Sequence, residues 1–89
     1  MFKVKIIMQP IEMVARFSEG GIPRPVKYKA TFEGVPVIIT IDKILLKTEE
    51  KLAGNRMIIF RCQSIINGLL KVFELKYELN TCKWFLFKI

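Results

Sequence analysis

The sequence predicts an all-β protein: a small antiparallel barrel of five to six strands, Src-homology-3-like or OB-like, with one short helical turn. Three observations predict it. Valine, isoleucine and aromatic residues dominate, while helical periodicity is nearly absent. Turn dipeptides separate short apolar runs, with Glu33-Gly34 and Asn67-Gly68 the plainest. The chain has 89 residues. That length buries about 60–68% of the unfolded surface around one core, and closing the sheet removes its adhesive edges. One domain spanning residues 1–89 is therefore expected.

Strands are predicted at 3–8, 11–17, 25–33, 35–46, 56–66, 69–79 and 82–88. The alternative for the first two is one long strand bent at Pro10. "FSEGGIPRPV", Phe17 to Val26, reads as a loop. Gly20 and Gly21 permit left-handed backbone, and Pro23 and Pro25 oppose helix. "KTEEKLAGN", Lys47 to Asn55, is the helical candidate. Thr48 can cap it, Glu49 and Glu50 suit a first turn, and Gly54 suits its end.

Turn positions fix register. A two-residue turn at Asn67-Gly68 sets Cys62 opposite Phe73 and Ile58 opposite Tyr77. A two-residue turn at Asn80-Thr81 sets Leu79 opposite Cys82 and Tyr77 opposite Trp84. Opposed residues share a face. One face then collects Ile58, Phe60, Cys62, Phe73, Leu75, Tyr77, Leu79, Trp84 and Leu86, which is a core. The other carries Arg61 opposite Glu74 and Glu78 opposite Lys83. It also carries Met57, Ile59, Phe85, Phe87 and Ile89, an apolar stripe that needs a cover: the rest of the fold, a protein partner or a second copy of the chain.

The hairpin at Glu33-Gly34 puts Tyr28, Ala30, Val37 and Ile39 inside and Lys27 and Lys29 outside. Arg24 lies just upstream, with Arg16 the candidate residue opposite. These four residues are the candidate nucleic-acid-binding patch. Fifteen Lys and Arg against eight acids give a net charge of +7, a balance that favours anionic partners. Phe85 and Phe87, outward beside Lys76 and Lys83, are candidate stacking residues for DNA or RNA bases.

The sequence holds little catalytic chemistry. There is no His, which removes the commonest general base and most zinc sites. Asp42 is the only Asp. Glu74 and Glu78 stand beside cations, which keep carboxylates ionised. "EGGIPRP" lacks the phosphate-loop spacing and its Lys-Ser/Thr ending. Cys62 and Cys82 fall roughly 20 Å apart at about 3.3 Å per residue, too far for a disulfide. Two free, largely buried thiols are expected, with no metal, cofactor or catalytic residue. The N-terminus shows no secretory signal and no stretch is apolar enough to span a membrane, so a cytoplasmic protein without a membrane partner is expected.

"PIEMVARFSEGGIPRPVKYKATFEGVPVIITIDKIL" and "FELKYELNTCKWFLFKI" resemble a family of short uncharacterised bacterial proteins. Its pattern has an acidic-Gly turn, a Pro-basic strand start and a closing Tyr-Glu-Leu, turn, Trp. The resemblance implies a small β-barrel. Some members are encoded near Y-family translesion DNA polymerases, which implies an accessory role in DNA repair. This chain adds an N-terminal strand, Met1 to Met8. The function expected is a non-enzymatic module that binds nucleic acid through Arg16, Arg24, Lys27 and Lys29. The alternative is a protein-interaction or homodimerisation module built on Met57, Ile59, Phe85, Phe87 and Ile89.

Overall fold

The computed structural model describes residues 5–89; the beginning of the expected Met1–Met8 strand lies outside them. Seven strands form: β1 (Ile6–Phe17), β2 (Pro23–Phe32), β3 (Val35–Thr40), β4 (Lys43–Leu52), β5 (Asn55–Ile66), β6 (Leu69–Glu78) and β7 (Lys83–Lys88). All neighbours are antiparallel, in the order β3-β2-β1-β7-β6-β5-β4. No helix forms among the described residues, so none is long and apolar enough to cross a membrane.

The all-β antiparallel expectation therefore holds, and the finer architecture differs. There are seven strands, and the sheet is open: β3 and β4 end it without pairing to each other. The helical turn is a correction. Lys47–Leu52 continue β4, and Ala53-Gly54 make its turn to β5, at φ 50° and 83°. The strand expected at 35–46 is divided at Ile41–Asp42. Ser64 clips that bend, donating to the Thr40 carbonyl at 2.7 Å and accepting from the Asp42 N–H at 3.3 Å.

The sheet curls because its ladders are irregular. Register slips between Ile6 and Gln9, Val14 and Ala15, Ile44 and Leu46, and Glu74 and Leu75 each leave an extra residue on one strand. Such bulges bend a strand and sharpen its twist. β1 acts as the shared spine. Its first half, through Ile11, pairs with β7, and its second half, from Glu12, pairs with β2. Pro10, which has no N–H to donate, stands beside this handover, where only β7 flanks the strand. β1 is thus the one long strand of the alternative, but its irregularity falls at Met8, which has φ 44°, and not at Pro10.

The two arms of the sheet face each other across one core. β2 and β3 contribute Tyr28, Ala30 and Ile39; β5, β6 and β7 contribute Phe60, Cys62, Phe73, Leu75, Tyr77, Trp84 and Leu86. The Tyr28 and Phe73 rings meet edge to face at 5.5 Å, although three strand-to-strand steps separate β2 from β6. The registers Cys62–Phe73, Tyr77–Trp84 and Tyr28–Ile39 follow the turn arithmetic. The last hairpin keeps its register, but its turn is four residues, Leu79–Cys82. Cys82 leaves the strand at φ 59° and is exposed. This corrects the expectation of two buried thiols: Cys62 alone is buried.

Candidate nucleic-acid interface

Alternation sends Arg16, Lys27 and Lys29 to the outer face, the extra residue Val26 at the β1–β2 bulge brings Arg24 out beside them, and all four are exposed. The ladder sets Arg16 directly opposite Arg24. Lys27 stands between Val14 and Thr40, and Lys29 between Glu12 and Ile38. Like charges opposed across a ladder destabilise a sheet, so the Arg16–Arg24 pair favours an anion that neutralises it. None of the four takes part in the three ion pairs found among the described residues.

Those ion pairs lie on the opposite arm. Glu49 bonds Arg56, Glu50 bonds Lys76 at 3.0 Å, and Glu74 bonds Arg61 at 3.1 Å. Asp42 accepts the Ile65 N–H at 2.9 Å. Glu78 accepts from Asn55 at 2.9 Å and Thr81 at 2.5 Å. The bond from Thr81 and then that from Asn55 hold the Glu78 carboxyl below the usual range. The acids on this arm are thus occupied at home. The cations of β1 and β2 are left facing solvent, with Glu12 the acid among them.

Arg24 also belongs to a second feature. It lines a hollow of about 610 Å³ between the β1–β2 loop and β4, with Lys43 and Lys47 among the other lining residues and Ile44 and Phe60 supplying apolar surface. A neighbouring hollow of about 470 Å³ shares Ile22, Pro23 and Lys47 and extends to Glu49, Arg56 and Ile58. Together they form one groove along the open side of the sheet. Sequence reading missed it because Lys47 was assigned to a helix.

The apolar stripe is partly covered by its own strands. Met57, Ile59, Phe85 and Phe87 are half-buried on the outer face, but Ile89 is a correction: the slip between Glu74 and Leu75 turns the end of β7 over, and Ile89 packs against the core. Lys76 lies among them, only 7% exposed, with its ammonium 3.8 Å from the Phe87 ring centre. Lys88 stands 5.0 Å from the same ring. A cation over an aromatic face is attracted by the ring's negative face. These lysines therefore compete with any base for Phe87. The more exposed apolar surface lies at the β5–β6 tip, where Ile65 is 66% and Leu70 61% exposed.

The Cys62 thiol is not set up as a nucleophile. Burial pushes the Cys62 thiol up to about 12, so it stays protonated at neutral pH. Cys82 is exposed at a turn. Comparison of this chain with known protein families, curated proteins and solved structures finds no match.

Proposed function

We propose that this chain is a non-enzymatic binding module that contacts nucleic acid through Arg16, Arg24, Lys27 and Lys29. One observation carries the reading: Arg16 stands directly opposite Arg24 on the same exposed face as Lys27 and Lys29, and none of the four is in an ion pair found among the described residues. Phosphates would bind across the outer face of β1 and β2, starting at the Arg16–Arg24 pair. We read the fold as an open relative of Src-homology-3-like or OB-like barrels. The sequence likeness to proteins encoded near translesion polymerases supports a cytoplasmic DNA-repair accessory.

The test is fluorescence anisotropy of labelled single-stranded and duplex DNA over a series of salt concentrations. Four phosphate contacts give a log–log salt slope of roughly −3.6 for duplex, at about −0.9 per phosphate. Lys27→Glu with Lys29→Glu should weaken binding and flatten the slope by about two contacts. Wild-type binding by that double variant would sink the proposal, as would no binding at low salt.

A second reading, protein docking or self-association, rests on the exposed Ile65, Leu70 and Val72. They extend the outer stripe of Met57, Ile59, Phe85 and Phe87. It requires a mass that rises with concentration and falls back in Leu70→Asp or Phe85→Asp. A monomer at high concentration removes the homodimer.

A further inference from the structure

The groove has a wall that nucleic acid does not complement: the free edge of β4. Ala53 and Gly54 both have positive φ, which makes the β4–β5 connection a type I′ turn. Such a turn makes Leu52–Asn55 a hydrogen-bonded pair. By alternation, Glu50 and Thr48 also turn their main-chain groups to β5. Lys51, Glu49 and Lys47 then turn their N–H and C=O groups the other way, towards the open side. No hydrogen bond among the described residues engages them there. Six main-chain groups, spaced as a strand spaces them, thus run along the free edge of β4, those of Lys47 and Glu49 beside the groove.

We propose that this edge takes up an extended acidic peptide of a partner protein as an added strand. A row of alternating donors and acceptors is complemented by another polypeptide backbone, whereas a phosphodiester chain has no N–H to return. Charge selects the peptide. Lys43, Lys47 and Lys51 are exposed and outside the ion pairs found among the described residues, as is Arg24 across the groove. The acids of β4 are spent, Glu49 on Arg56 and Glu50 on Lys76. A second copy of the chain would bring the same lysines to the same edge, and lysines on an edge repel such pairing. Ile44, Ile58 and Ile22 in the groove lining supply apolar contacts for alternate side chains of the peptide. The other sheet edge is less suited: β3 has six residues and carries Pro36, while β4 has ten and no proline.

This binding mode goes beyond the nucleic-acid reading and stands or falls separately. The probe is a fluorescein-labelled nine-residue peptide of alternating Glu and Val, with the same peptide N-methylated along its backbone as control. N-methylation removes the strand-pairing donors and keeps the charge. The unmodified peptide should bind at low salt, and the N-methylated one at least tenfold more weakly. Lys47→Pro removes one edge donor at a position turned away from β5. It should weaken peptide binding by a similar factor and leave oligonucleotide binding unchanged. Lys47→Glu with Lys51→Glu should abolish peptide binding. Equal binding of both peptides would reduce the effect to charge and overturn the proposal. So would no binding of the unmodified peptide, or a dimer of the free protein that Lys47→Pro dissolves. Oligonucleotide capture without peptide capture would leave the basic face standing and this edge empty.

Discussion

Lys76 reaches from β6 to Glu50 on β4, passing over the strand between them, and its ammonium lies 3.0 Å from the carboxylate. Lys76 is nearly enclosed, while Glu50 retains a quarter of its side-chain exposure. Removing Glu50 strands a nearly enclosed ammonium, whereas replacing Lys76 with an apolar side chain of similar length leaves a carboxylate that water still reaches. Glu50→Ala should therefore destabilise by about 1–3 kcal/mol, less than for a fully buried pair because water screens Glu50. Lys76→Met should stay within about 1 kcal/mol of the wild type. Urea denaturation of both variants checks this; equal losses would mean that the lysine charge itself stabilises the sheet.

Tyr28 is almost fully buried, and its hydroxyl has no hydrogen-bond partner. An unsatisfied buried hydroxyl costs about 1–3 kcal/mol in desolvation. Tyr28→Phe keeps the ring on Phe73 and removes that cost. We expect a gain of about 1 kcal/mol, or a rise in Tm of about 4–8 °C for a domain of this size. A lower Tm would mean that the hydroxyl is satisfied in solution.

Alkaline pH should unfold the protein through the same region. Burial pushes the Cys62 thiol up to about 12 and the Tyr28 hydroxyl, close to it, well above the usual tyrosine range. Both groups hold their protons more tightly folded than unfolded. Their contribution is complete below the unfolded-state values, near pH 9 for Cys62, and is lost as pH rises towards 12. Stability should be flat from about pH 7 to 9 and then fall. In Cys62→Ala with Tyr28→Phe the fall should be shallower, whatever the absolute stability. Denaturation midpoints across this range measure it.

Ala53 holds φ 50° in the β4–β5 turn, a conformation that costs an L-residue with a Cβ roughly 1 kcal/mol. Asn tolerates it better and precedes Gly in the preferred type I′ pair. Ala53→Asn should stabilise by about 0.5–1 kcal/mol with the fold unchanged, read as a shift in urea midpoint at constant slope.

That alanine also shows why the sequence misleads at this point. Lys, Glu, Leu and Ala are all good helix formers, and Gly54 is a plausible helix end. Local preference loses because β5 offers Lys47–Leu52 a ladder, and Arg56 and Lys76 take up their glutamates. By contrast, Glu33-Gly34 and Asn67-Gly68 announce their turns. Alternation from those two turns assigns Tyr28, Phe60, Cys62, Phe73 and Leu75 to the core without any tertiary information. Lys27 and Lys29 are legible in the same way, whereas Arg24 faces outward only through the bulge at Val26, which alternation does not foretell. What alternation does not carry is where a sheet bends. The division at Ile41–Asp42 depends on Ser64, far along the chain, and the bulge at Leu45 leaves no mark in composition. The groove beside β4 arises from those bends and was invisible for that reason.

The placement of β1 bears on the order of assembly. β2 can fold back on β1 as soon as it is made, and the hairpins β2–β3, β4–β5, β5–β6 and β6–β7 are equally local. The β1–β7 ladder alone joins strands from opposite ends of the series, with Ile11 beside Trp84. Its closure must wait until β7 has left the ribosome. Until then β1 offers its unpaired first half to the cell. Pairing across so long a loop carries an entropic cost that nearer contacts avoid, so this joint sets the pace of folding. Conditions that slow the release of β7 would prolong the interval in which the half-built sheet can join a stranger.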